Sequence, residues 1–344
     1  MGLQGRDRPL LLDTATLKHA APAGDAAIAR IVTRQSTAYV LRAFRMLTSN
    51  YVDVRAGLIA RTIHTANTAH LDPRTEAGRR VAGPDGILPD ELRRPIGIKR
   101  LSESTGLPFE STRRIVQRLV DGGHCQRVEG GVIVPAEALA RPEHADIVIK
   151  NFGYLRRFVR DLEASGLVGA GAIVWTQLQE DIDEGALARS VARVTGDYFL
   201  RALQLLAATY RDIRSGIVAQ TIVGANTDHL DARGGEGWRY AGIESPVPDS
   251  LRKPVPVARL AESLGQPYET TRSQVQRLVS VGVCQRIDGG LIVPGAILEG
   301  LVAVRGMLAN VAYVRRLVRD LGALAGSLKS ELEPVAAPQR RFVS

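Results

Sequence analysis

The chain has 344 residues, 45% apolar and 5% aromatic, with a formal charge of +9 and a pI near 9.9. That length suits two or three domains with proper cores and excludes a chain disordered throughout. No apolar run reaches the roughly 18 residues that cross a bilayer, and Pro9-Leu10-Leu11-Leu12, followed at once by Asp13, is too short for a signal-peptide core. The expected location is therefore cytoplasmic. The positive charge favours an anionic partner, and 40 of the 45 basic residues are arginine, the side chain shaped for phosphate and guanine edges. An arginine excess is equally what a GC-rich genome writes.

Residues 1–25 read as a flexible tail. Beyond them the chain repeats: shifted by 159, Ala26–Leu162 aligns with Gly185–Leu321 without a gap, and from Tyr39 to Pro135 about half the positions are identical. Units of this length are domain-sized. The expected organisation is thus one copy over 26–165, an ordered connector over 166–184 containing Leu167, Ile173, Val174 and Trp175, a second copy over 185–325, and a flexible tail over 326–344.

Each copy opens with a long helix from about Asp25, because Val40, Phe44, Leu47, Tyr51, Val54 and Leu58 alternate at four and three, as do Phe199, Leu203, Leu206, Tyr210, Ile213 and Ile217. Such a seam packs along another helix. The helix is expected to stop at Ala66-Asn67-Thr68 and Ala225-Asn226-Thr227, with Asn in the left-handed cap. A loop-rich stretch follows from Asp72 to Pro95. The shared His70 and Asp72, like His229 and Asp231, read as turn or capping residues, since a metal site needs a third ligand and none is near.

Pro95-Ile96-Gly97-Ile98 and Pro254-Val255-Pro256-Val257 predict a short edge strand, where proline is tolerated. A helix over Lys99–Thr105, a Gly106 or Gly265 turn, and a second helix from Pro108 to Val120 come next, with proline expected at the first helical position and Glu110 or Glu269 in the first turn. A tight hairpin turns at Glu129-Gly130-Gly131 and Asp288-Gly289-Gly290. Cys125 and Cys284 fall in matching places beneath it, where core packing is expected instead of a disulfide or a metal. A closing helix from about Glu143 to Ala164 carries the seam Val148, Phe152, Leu155, Val159 and Leu162, repeated at Met307, Val311, Val314, Val318 and Leu321.

This element order is a winged helix-turn-helix, which lays its second helix in the DNA major groove. On that helix Thr112, Val116, Leu119 and Val120 define the inward face, and Glu110, Arg113, Arg114 and Gln117 the outward one. Arg pairs with guanine O6/N7 and Gln with adenine N6/N7, so Arg113, Arg114 and Gln117, with Arg272, Ser273 and Gln276, are the candidates for reading bases. Ser111, Arg100, Arg118 and Arg127, with Thr270, Arg259, Arg277 and Arg286, are the candidates for phosphate contacts. Pro95–Gly130 carries about +2 and Pro254–Gly289 about +1, which is weak for a DNA footprint, and Arg93, Arg94, Arg252 and Lys253 just upstream strengthen it. The half-sites are expected to differ where Arg114 becomes Ser273 and Ile115 becomes Gln274.

The segments GLPFESTRRIVQRLVDGGHCQRV and GQPYETTRSQVQRLVSVGVCQRI resemble the reader motif of bacterial winged-helix transcription regulators of the MarR and IclR type, over roughly forty residues per copy. No effector domain of the IclR type follows. The flanking helices resemble the dimerisation helices of MarR-type proteins, a likeness that implies two-fold DNA binding and often a small-molecule effector. The expected fold is mainly α with small β-wings: two tandem winged helix-turn-helix domains flanked by long packing helices in a pseudo-two-fold arrangement. The expected function is sequence-specific binding of double-stranded DNA on an imperfect inverted repeat, with nucleoid association, no cofactor and no metal. A second copy of the chain is a further candidate partner through the long helices. A protein-binding scaffold and a replication initiator remain the alternatives. No phosphate loop, metal-ligand spacing or nucleophile–base pairing points to an enzyme.

Overall fold

A computed structural model describes residues 23–51, 53–81, 85–168, 182–230 and 236–332. It is mainly helical, with two small antiparallel sheets. In chain order come α1 (Ala23–Asn50), α2 (Val54–Thr68), α3 (Glu76–Arg80), α4 (Ile98–Thr105), α5 (Phe109–Asp121), β1 (Gln126–Val128), β2 (Gly131–Ile133), α6 (Ala136–Ala140) and α7 (Pro142–Ala164). The second copy gives α8 (Glu184–Tyr210), α9 (Ile213–Thr227), α10 (Val257–Leu264), α11 (Tyr268–Ser280), β3 (Gln285–Ile287), β4 (Gly290–Ile292), α12 (Gly295–Glu299) and α13 (Leu301–Leu332).

Two helices and a hairpin form the same module in each copy. Gly106 and Gly265 end the first helix at φ 67° and 61°, the left-handed conformation that glycine adopts without a Cβ penalty. In β1–β2, Arg127 pairs with Val132 and Val128 with Gly131, and Ile96 bridges Val132 from the other side. A Cβ on Gly131 would lie 2.5 Å from the Ile96 carbonyl oxygen. Glycine there is what lets this third backbone strand close on the hairpin, and Val255 bridges Leu291 likewise. Pro108 and Pro267 stand one position before their helices, with extended ψ of 141° in both.

The opening helix is not continuous. It breaks after Asn50 and after Tyr210, where Arg211 takes φ 66° and Asp212 starts a new helix by accepting the Ser215 N–H. A local cap thus overrides the apolar seam. Val40, Phe44 and Leu58 are buried, as are Phe199, Leu203, Ile213 and Ile217; the side chains of Leu47 and Val54 lie outside the described ones. At the C-terminus α13 runs on to Leu332, so the tail expected from 326 is helix as far as 332: buried Leu324 and Leu328 extend its packed face. Ala23 to Asp25 likewise belong to α1, with Asp25 buried. The remainder of the expected N-terminal tail, the connector residues 169–181 with Ile173, Val174 and Trp175, and residues 333–344 lie outside the described residues.

The chain divides into two units, each drawing on both copies. Unit I takes the described parts of Met1–Val54, Tyr154–Ala170 and Tyr198–Arg316; unit II takes those of Arg55–Gly153, Gly171–Asp197 and Leu317–Ser344. Unit I therefore joins α1 to the module of the second copy, and unit II joins the start of α8 to the module of the first. Two of the three bonds in each unit recur at equivalent positions. In unit I, Arg30 donates to the carbonyls of Ile243 and Leu298, and Arg34 to that of Gly237. In unit II, Arg189 donates to Leu139 and Arg193 to Gly78 and Leu71. Arg30 and Arg189, Arg34 and Arg193, Leu298 and Leu139, and Gly237 and Gly78 are all 159 apart. Around these bonds the closing helices bury most of their seams, with Phe152, Leu155, Val159 and Leu162, and Val311, Val314 and Leu321, at most 4% exposed, while Val318 is half-buried and its neighbour Leu317 is buried; each fully buried side chain contributes roughly 1.5–3 kcal/mol. In unit I, Tyr39 stacks on Phe158 with centroids 5.4 Å apart.

Asn67 and Asn226 are not left-handed caps. Each is wholly buried within the last turn of its helix. The Asn67 amide nitrogen donates to the carbonyls of Arg94 and Val132, and its oxygen accepts the Val134 N–H. Asn226 does the same with Lys253, Leu291 and Val293. One carboxamide thus pins the edge strand and the hairpin to the preceding helix. Replacing Asn67 by Ala takes their side-chain partner from the Arg94 carbonyl and the Val134 N–H, while the Val132 carbonyl keeps the Ile96 N–H; each unpaired group costs roughly 1–3 kcal/mol. The expected outcome is a loss of about 2–4 kcal/mol in unit II, read as faster hydrogen exchange of Val132 and Val134 while Leu291 and Val293 stay protected; equal loss in both would contradict it.

Candidate nucleic-acid interface

The α5 helix buries Thr112, Ile115, Val116 and Leu119, and α11 buries Thr271, Val275 and Leu278. The opposite face is open. Arg113 lies there with its Nε 3.0 Å from Glu110 Oε2, and Arg272 with its Nη1 3.1 Å from Glu269. The Gln117 amide donates to Asp121 Oδ1 at 2.8 Å and accepts from Arg127 Nη2 at 3.1 Å. The first hairpin strand is thereby tied to the exposed helix face, and Arg113, Arg114, Gln117 and Arg127 share one surface. Arg272, Ser273 and Gln276 are exposed in the second copy. Of the other backbone candidates, Arg100, Arg118, Arg259, Thr270, Arg277 and Arg286 are exposed and Ser111 is half-buried. Arg277 sits 3.4 Å from Asp212, and Arg259 3.5 Å from Glu262.

Two expectations fail. Ile115 is 2% exposed, and Gln274 holds a buried Oε1, so positions 115 and 274 face the core and do not distinguish the outer surfaces. Helical geometry places Ile115 beside Val116 and Leu119 on the inward stripe. The copies differ on the surface at Arg114 and Ser273, and at Asp121, where the second copy has Ser280. Arg93 and Arg252 also drop out of the basic surface. They are 4% and 5% exposed, donating inward to the carbonyls of Leu88 and Val247 and to Asp90 and Asp249. Both brace the start of the module. The sequence reading overlooked Phe109 and Tyr268, which stand 47% and 48% exposed at the first position of the second helix. Their signal was an aromatic directly after the proline in both copies.

Asp72 accepts from the backbone and guanidinium of Arg74, and those bonds hold its carboxyl below the usual range; it is a turn residue in fact. His70 and His229 are exposed, and Asp231 lies outside the described residues. Among the described residues no three His, Cys, Asp or Glu side chains are grouped to hold a metal ion. Burial pushes the thiols of Cys125 and Cys284 up to about 12, which leaves them protonated and inert. Comparison with protein families, with curated proteins and with solved structures found no match.

Unit II holds two histidines among arginines, at positions where unit I has no titratable side chain. His64 and His144 each have a buried Nδ1 without a partner. Burial, then Arg61, Arg93, His144 and Arg193, push His64 well below its ordinary value; burial, then Arg189, Arg61 and His124, bring His144 down to about 4. Both rings are neutral in the folded protein at pH 7. Between about pH 6.5 and 4 the unfolded chain binds protons that the folded unit refuses, so stability falls as pH falls. In unit I the same positions are Val223 and Ala303. Acid is expected to speed hydrogen exchange in unit II before unit I, and H64V/H144A to remove most of that difference; an unchanged difference in the variant would refute the assignment.

Proposed function

We propose that the chain is a sequence-specific double-stranded DNA-binding transcription regulator that reads with two winged helix-turn-helix modules. The observation that supports this reading is the second helix of each module, whose inner face is packed while its outer face presents arginine and glutamine beside an arginine of the hairpin. Arg113, Arg114 and Gln117 would read one half-site, and Arg272, Ser273 and Gln276 the other. Arg113 and Arg272 are preset by Glu110 and Glu269; exposed pairs of this kind are worth at most about 1 kcal/mol, so a guanine edge displaces the carboxylate readily. Arg100, Arg118, Arg127, Arg259, Arg277 and Arg286 would hold phosphates, with Ser111 and Thr270 at the helix starts. The short hairpin turns, Glu129-Gly130 and Asp288-Gly289, carry no cation and have no deep minor-groove role.

Exposed Phe109 and Tyr268 favour a second reading, in which the modules bind protein partners, because half-open aromatics are typical anchors of such surfaces. The salt response separates the two. If six arginines engage phosphates, the slope of log affinity against log salt is about −5, and a flat response on selected DNA would leave the protein-binding reading. On a footprinted site, R113A is expected to remove protection from one half and R272A from the other, each lowering affinity roughly 10- to 100-fold. Unchanged footprints for both variants would exclude these side chains as readers.

A further inference from the structure

Unit I contains a cavity of about 100 Å³ lined by residues of both copies. Its walls are mostly apolar, formed by Val40, Leu41, Leu205, Val223 and Met307, with Tyr198 and Tyr210 alongside. One region is different. Arg30, Arg34 and Arg252 all line it, and Arg30 and Arg252 are only 6% and 5% exposed. Their outward bonds run to backbone carbonyls and, for Arg252, to Asp249. That leaves Arg30 Nε, Arg34 Nε and Arg252 Nη1 buried with no acceptor; the matching atoms of Arg189, Arg193 and Arg93 lack one too, so what sets unit I apart is the cavity beside them. Burial outweighs the nearby Glu299 and Glu244 carboxylates and brings Arg30 down to about 10.

A mostly apolar space with three guanidiniums short of acceptors is matched by a molecule with an apolar body and one anionic oxygen pair. Carboxylate suits arginine through paired N–H donors, and the apolar body would replace water poorly held by aliphatic walls. We propose that this cavity is a binding site for a small carboxylic acid with an apolar body, and that the chain has one such site. The second half of the claim comes from the repeat. Val223, Ala303, Gly306 and Gln220 line the cavity in unit I, and their counterparts 159 residues earlier are His64, His144, Ile147 and Arg61. All four are larger. The Arg61 guanidinium also fills the place that Thr37 occupies in unit I: its counterpart Gly196 has no side chain, and a Cβ there would collide with Arg61 Nη2. The framework that leaves a cavity in unit I thus carries larger side chains at these positions in its other copy.

The site lies within a single unit and does not depend on DNA binding, so its test stands apart from the DNA reading. Calorimetric titration of the full chain would use phenylacetate and octanoate, with 2-phenylethanol and octan-1-ol as neutral partners. At least one acid is expected to bind with one site per chain and at least tenfold more tightly than its alcohol. Gly306→Ile installs the residue that the first copy already carries, and a Cβ there meets only Thr209 Oγ1 at 3.5 Å and Leu205 Cδ1 at 4.0 Å. That variant should keep its melting temperature within a few degrees and lose acid binding at least tenfold. Arg34→Met should abolish the preference for acid over alcohol. Equal binding of acid and alcohol, two sites per chain, undiminished binding by G306I, or no binding of any probe at millimolar concentration would each overturn the proposal.

Discussion

Arginine-to-carbonyl bonds made by the first helix of one copy to the loops of the other are the constraint on which this structure rests. Arg30 and Arg34 close unit I, and Arg189 and Arg193 close unit II, sharing equivalent carbonyls at Leu298 and Leu139 and at Gly237 and Gly78. A buried guanidinium is expensive to desolvate, and these four offset that cost with charge-assisted bonds to backbone oxygens that would otherwise be unpaired. Because donors and acceptors come from different copies, neither copy contains the whole of either unit. The two-helix-and-hairpin modules are therefore carried on a frame that the duplicated sequence builds jointly.

Within that frame the orientation of each module is set by one side chain. Asn67 and Asn226 meet an edge strand and a hairpin at once, and Asp90 and Asp249 add a second tie by accepting from Arg93 and Ala136, and from Arg252 and Gly295. Polar groups with every bond satisfied specify position more sharply than apolar packing does. The outer faces of α5 and α11 are aimed by these inner bonds, so any function of Arg113 or Arg272 depends on groups that never reach the surface.

Much of this was legible in the sequence. The glycine turns, the hairpins and the exposure of Arg113, Arg114 and Gln117 follow from local rules of period and backbone conformation, whereas the edge strand expected over Pro95–Ile98 shrinks to a single bridge at Ile96, with Ile98 already in the helix. What escaped depends on distant partners. Asn67 reads as a cap because its carbonyl and amide partners lie 27 to 67 residues away. Arg93 and Arg252 read as surface charge because nothing local announces the carbonyls that bury them. Ile115 went astray for a simpler reason: a position compared only by the difference between copies was assigned to the surface without its place on the helical stripe. The exchange of helices between copies was invisible, since a seam states that a helix packs and not against which partner.

The repeat offset also bears on what a single chain permits that two identical chains would not. Had the same halves met as separate subunits, each substitution would appear twice, and their union would depend on protein concentration. Joined covalently, each half meets the other at the high effective concentration of a tether, whatever the dilution. The halves are then free to become unlike. One has Val223, Ala303 and Gly306 along a cavity, and the other has His64, His144 and Ile147 at the matching positions. A duplicated frame is in this way free to become handed, with different chemistry at matching places on its two sides.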